Sequence, residues 1–117
     1  MSETISSMIW TEINEIQKMK DNFDAETLSE KLISLSVLYA SLTSHITEME
    51  SDYYKEFTLI LNAHPEWKTN RAEVEIKSSD TYKEYRKATN LEKALIEIIR
   101  SCKKFIKIKE NEQEISY

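Results

Sequence analysis

The 117 residues contain no glycine, one proline and one cysteine. Without glycine, the chain cannot build the tight hairpin turns, phosphate-cradling loops and dinucleotide fingerprints that depend on that residue's backbone freedom. The nucleophile elbow of the hydrolases is excluded for the same reason. With Pro65 alone to interrupt a helix, long helical stretches are expected. A lone cysteine, Cys102, cannot form a disulfide within the chain, which points to a cytoplasmic setting. Long apolar runs are missing too. No stretch approaches the ~18 residues of a membrane span, and the opening MSETISSMIW lacks the basic and apolar regions of a signal peptide. No membrane partner is therefore expected.

What is present is helical periodicity. Leu28, Leu32, Leu35, Tyr39, Leu42, Ile46, Met49 and Tyr53 are spaced alternately by four and three, an unbroken a/d heptad row. They predict a helix over 24–62, ~57 Å long at 1.5 Å per residue. Either Asp24 or a Thr27–Glu30 capping box would start it. Beyond Tyr53 the spacing slips to Phe57, Ile60 and Leu61, where the supercoil should relax. Ser34, Ser36, Ala40, Ser41 and Ser44 are expected to let neighbouring helices approach the seam closely.

An earlier helix over 3–20 carries Ile5, Met8, Ile9, Ile13, Ile16 and Met19 on one side, with Trp10 expected as a packing residue. It follows that 3–20 is too short to cover 24–62, so the last helix or another copy of the chain must do so. His64-Pro65 ends the long helix. A short helix over 71–78 follows an Asn70–Glu73 capping box. The alternation of Val74 and Ile76 would also suit a strand, but none is available to pair with it. A Thr81–Glu84 box then opens a helix over 82–109. Its seam is Ala88, Leu91, Leu95, Ile98, Cys102 and Phe105, widened by Ile99, Ile106 and Ile108 as in a helix with several neighbours. The tail 110–117 is expected to fray. The fold class is all-α: one domain, 1–117, forming an elongated bundle of two long heptad helices and two short ones. Its seam residues, Leu28 to Met49 on one helix and Leu91, Leu95, Ile98, Cys102 and Phe105 on the other, are expected to drive homo-oligomerisation by coiled-coil packing.

The net charge of −5 is unevenly spread. Residues 1–67 hold 4 basic and 12 acidic side chains, and residues 68–109 hold 12 basic and 6 acidic. Within the basic half, Arg86, Lys93, Arg100 and Lys107 recur every seven residues. Relative to the seam they occupy the outermost heptad position, a straight row of ~31 Å, thickened by Lys83, Lys103 and Lys104. Such a row matches a polyanion backbone, and Tyr82, Tyr85 and Trp67 could stack on unpaired bases. The other reading is a charged face that serves solubility, diluted by Glu84, Glu92 and Glu97.

Catalytic and metal chemistry find little support. A di-iron bundle needs Glu three residues before His, but Leu42 and Leu61 stand there before His45 and His64. His45, Glu48 and Asp52 share a face that reads better as solvated polar surface. Cys102 lies on the seam, where a thiol behaves as a small hydrophobe. An enzyme, a cofactor, a metal and a small-molecule substrate are all unexpected.

The order of parts resembles the recombination mediators of T-even-type phages. A long helix carries paired aromatics near its end (Asp52-Tyr53-Tyr54), a short charged helix follows (Arg71 to Lys77), and an amphipathic helix ends in a basic stretch (Ile98 to Lys107). The resemblance covers roughly residues 27–109. It implies a ring-like oligomer that binds single-stranded DNA and helps to load a recombinase, acting in the host cytoplasm. The final helix would then drive assembly, and Arg86, Lys93, Arg100, Lys103, Lys104 and Lys107 would meet DNA. The alternative is a helical adaptor or inhibitor, for example a phage protein acting on a host protein, with no affinity for nucleic acid.

Overall fold

A computed structural model describes residues 2–19 and 24–115. Among them are four helices and no strand: α1 (Ser2–Met19), α2 (Ala25–Ala63), α3 (Thr69–Lys77) and α4 (Asp80–Ile115). The principal extents are 74 × 24 × 20 Å and the radius of gyration is 19.9 Å. A compact domain of this length would measure about 13 Å, so the molecule is a rod. Among the described residues no helix is long and apolar enough to cross a membrane.

α2 and α4 form the spine and run antiparallel. Tyr53, late in α2, meets Tyr82 and Tyr85 at the start of α4. α1 lies beside the lower half of the pair, antiparallel to α2. Lys31, near the start of α2, reaches Glu12 and Glu15 in the second half of α1, and Ser6 borders the cleft that holds His45, Met49, Glu84 and Lys87. α3 occupies the upper half. It packs on both spine helices and buries Ala72 and Ile76, four residues apart on one side, while Val74 faces solvent.

The heptad rows form the interior of this single chain. Leu28, Leu35, Leu42 and Ile46 of α2 are buried with Ala88, Leu91, Leu95 and Cys102 of α4 and Ile9 and Ile13 of α1. Leu32, Tyr39, Met49, Ile98 and Phe105 are half-buried against them. Each fully buried Leu or Ile contributes roughly 1.5–3 kcal/mol. The seam is thus covered by neighbouring helices of the same chain, without recourse to a second copy.

Several local expectations need correction. Ser34, Ser36, Ala40, Ser41 and Ser44 are all exposed and none is packed into the core beside Leu35 and Leu42; Ser34 borders a groove between α1 and α2. Trp10 is 48% exposed and Met8 50%, since each stands one helical step to either side of fully buried Ile9. Ile108 is also largely exposed and does not widen the core.

The helix starts differ as well. Asp24 does cap α2, its carboxylate accepting from the Thr27 N–H at 2.7 Å, in preference to the Thr27–Glu30 box. α3 begins at Thr69 after Lys68, with no side-chain cap, so Asn70 falls inside the helix. For α4, Ser79 supplies the cap expected of Thr81. Its hydroxyl accepts from the Tyr82 N–H at 3.2 Å and donates to the Ile76 carbonyl at 2.6 Å, tying the end of α3 to the start of α4. α4 also continues to Ile115, past the expected end at 109. Nothing there breaks a helix, Lys109 pairs with Glu112 at 3.7 Å, and its ammonium lies 5.4 Å from the Phe105 ring. The expected break at 21–26 falls partly, and the end of the expected tail at 116–117 wholly, outside the described residues.

Candidate nucleic-acid interface

Because Leu91, Leu95 and Cys102 point inward, the residues half a turn away on α4 must point outward. Arg86, Lys93, Arg100 and Lys107 do so, and each is exposed. Lys83, Lys103 and Lys104 are exposed beside them. The row therefore lies along one face of one continuous helix, ~31 Å from end to end.

Its charges are largely available. Arg100 donates to Glu97 at 2.9 Å, with both side chains about 70% exposed. Such a pair contributes only a few tenths of a kcal/mol and is readily exchanged. Arg86 donates to the Tyr82 hydroxyl at 3.3 Å, which anchors the row's upper end. Among the described residues Lys93, Lys103, Lys104 and Lys107 form no ion pair. Lys87, off the row, pairs with Glu84 at 3.4 Å.

The aromatic residues are less available than their types suggest. Tyr82 and Tyr85 lie 5.5 and 5.8 Å from Tyr53, ring centre to ring centre. Burial pushes the Tyr53 and Tyr85 phenols above their usual pKa. Trp67 is covered by His64, stacked at 3.7 Å, and by the Arg71 guanidinium at 4.3 Å. These rings pack at the corner between α2, α3 and α4, which reduces the surface they can offer to a base. Tyr54, 56% exposed and edge-on to Tyr53, is the aromatic of this cluster that stays in solvent.

The remaining candidates have simple surroundings. Cys102 is 4% exposed, and burial raises its thiol pKa, which keeps it protonated at neutral pH. His45 Nδ1 lies 3.8 Å from Glu48, and its Nε2 is buried without a partner at the cleft between α1, α2 and α4. Among the described residues no group of three or more His, Cys, Asp or Glu could hold a metal ion.

A second outward row was missed from the sequence. On α2, Ile33, Val37, Ala40, Ser44, Thr47 and Ser51 repeat the four–three spacing on the side away from the core, and all are exposed. The available signal was negative: residues 32–47 contain no Asp, Glu, Lys or Arg in a chain that is 32% charged. The exposed surface thus carries a basic row on α4 and an uncharged row on α2. Comparison of the chain with known protein families, with curated proteins and with solved structures found no match.

Proposed function

We propose that this protein is a non-enzymatic accessory factor of phage-type DNA recombination or replication. In this reading it works as a homo-oligomer and holds single-stranded DNA, alone or together with a recombination protein, along the outward face of α4. The observation that carries the proposal is the exposed row Arg86, Lys93, Arg100 and Lys107, one cation at every second turn of a straight helix. A flexible phosphate backbone laid along it meets fixed charges at regular intervals and gives up condensed counterions to each. The tyrosine cluster holds the start of α4 in place, and the row with it.

The test is binding of a fluorescent single-stranded oligonucleotide at two salt concentrations. With about four phosphate contacts, affinity should fall on the order of 50-fold between 50 and 200 mM salt. Arg100→Glu combined with Lys107→Glu should abolish binding at moderate salt while the helical circular dichroism is unchanged. Undiminished affinity in that double variant would remove the row from the mechanism. No binding by the wild-type protein at low salt would remove the nucleic-acid reading altogether.

A further inference from the structure

We infer that the outward face of α2 is where a second copy of this chain docks, α2 against α2 and parallel. This rests on the oligomeric part of the reading above, and its test uses no DNA. The face carries a full heptad row, beginning at Ile33, Val37, Ala40 and Ser44, and the four–three spacing holds to residue 58. A helix needs that period to keep one side against a supercoiled partner. That row is the buried row from Leu35 displaced by two residues, so it keeps the same period and presents one continuous side to solvent.

The surface suits burial. Ile33 and Val37 are 68% and 62% exposed, and with Met8 they border a groove of about 400 Å³ between α1 and α2. From Ala40 to Ser51 the side chains of the row are small, which permits close approach of the helix axes there, and Tyr54 beyond them adds exposed aromatic surface. The threonines cost little to bury. Thr47 donates its hydroxyl to the Thr43 carbonyl at 3.1 Å and Thr58 to the Tyr54 carbonyl at 2.9 Å, so neither needs a new partner.

Area agrees with a dimer. The chain exposes 8394 Å², where a compact monomer of its mass exposes about 6,600 Å². Half the circumference of a helix ~10 Å wide, over the ~38 Å from 33 to 58, is about 600 Å² per copy. The total of about 1,200 Å² reaches the size of specific interfaces.

Charge permits a second copy on this face and favours the parallel direction. Because 32–47 holds no formal charge, the strip offers nothing to an oppositely charged partner and nothing that repels its own copy. In a parallel, in-register pair the flanking positions bring Glu50 of one copy opposite Lys55 of the other, the attractive pairing of coiled-coil edges.

Sedimentation equilibrium without DNA tests the docking. The wild-type protein should form an assembly of at least twice 13.8 kDa, and Val37→Glu should reduce its mass at least twofold with unchanged circular dichroism. In a Cys102→Ser background, Ser44→Cys should cross-link into a disulfide dimer under mild oxidation, because parallel packing sets the two Ser44 positions across from each other. A monomeric wild type, or an assembly that Val37→Glu leaves intact, overturns the proposal. An assembly that Val37→Glu breaks but Ser44→Cys does not cross-link overturns the parallel arrangement. DNA binding is read separately through Arg100 and Lys107, so either result can fail without the other.

Discussion

The outward faces of α2 and α4 differ in chemistry although the two helices are built alike. Both helices bury an apolar heptad row, and both present a second row half a turn away. On α4 that second row is Arg86, Lys93, Arg100 and Lys107; on α2 it is Ile33, Val37, Ala40 and Ser44, with no formal charge from residue 32 to 47. An outward row is free of the packing constraints that fix the inner one, so its composition answers to solvent or to partners. Cations on an outer row satisfy solubility by themselves. Exposed Ile and Val without intervening charge do the opposite. The quieter face is therefore the stronger sign of a macromolecular contact, and the basic face needs a binding experiment to acquire the same weight.

Inner and outer rows of α4 should differ most in their tolerance of a carboxylate, and one pair of substitutions has the largest expected effect. Leu95 is fully buried. Leu95→Asp places an unpaired carboxylate in the core and should cost at least about 4 kcal/mol, enough to unfold much of the population. Lys93→Asp, two residues away on the outside, should stay within about 0.5 kcal/mol of wild type. Urea denaturation of the two variants measures the contrast. Equal stabilities would mean that the sides of α4 are misassigned.

The next effect separates the two outer rows by their response to salt. Losing the Arg100 and Lys107 contacts should lower the slope of log affinity against log salt by about 1.4 units. A neutral Val37→Ser change on α2 should leave that slope as it is. An equal change of slope in both variants would mean that the rows do not act separately.

Much of this fold was legible in the sequence because the heptad rows carry it. Leu28, Leu35, Leu42, Leu91 and Leu95 are strongly apolar at fixed spacing, and helices of such length have few ways to bury them. The outer row of α2 escaped notice because Ser and Thr do not register as apolar, although a threonine that bonds to its own helix presents a methyl group. Helix starts were harder to read. Ser or Thr followed by Glu three residues later is common on any polar turn, and the choice among candidates depends on what the preceding turn can reach: Ser79 won over Thr81 because it also bonds to the Ile76 carbonyl. The roles of Tyr82, Tyr85 and Trp67 were hidden for a related reason, since an aromatic residue near cations looks the same in sequence whether its faces are free or covered.

Ser79 provides a smaller and more local test of how the basic helix is aimed. Ser79→Ala removes both the cap of α4 and the link to α3, and should cost about 1 kcal/mol. Amide exchange should rise at Tyr82 and Lys83 and remain slow around Leu95. Uniform acceleration along α4 would mean that Ser79 supports the whole bundle and not its upper corner alone.

The smallest effect concerns the ionic link that holds α1 beside the uncharged face of α2. Lys31 reaches Glu15 and lies 3.2 Å from Glu12. The bond to Glu15, more than any other influence, raises its pKa above the ordinary 10.5. A raised ammonium stabilises the fold fully below the unfolded value, and this contribution is lost as the pH climbs through the folded one. The link should therefore be intact at neutral pH and weaken above about 10.5, by less than ~1 kcal/mol given its solvent contact. Tyr53 and Tyr85 titrate in the same range, since their raised phenol pKa values also favour the fold until the pH passes them. Lys31→Met separates the contributions. In that variant the alkaline fall in protection factor, which discounts the base-catalysed rise of intrinsic amide exchange, should disappear from α1 and persist near Tyr53 and Tyr85. If α1 still loosens at high pH without Lys31, the tyrosine cluster must transmit its ionisation along the whole rod, and the two halves of the bundle are more tightly coupled than their separate packing against the spine implies.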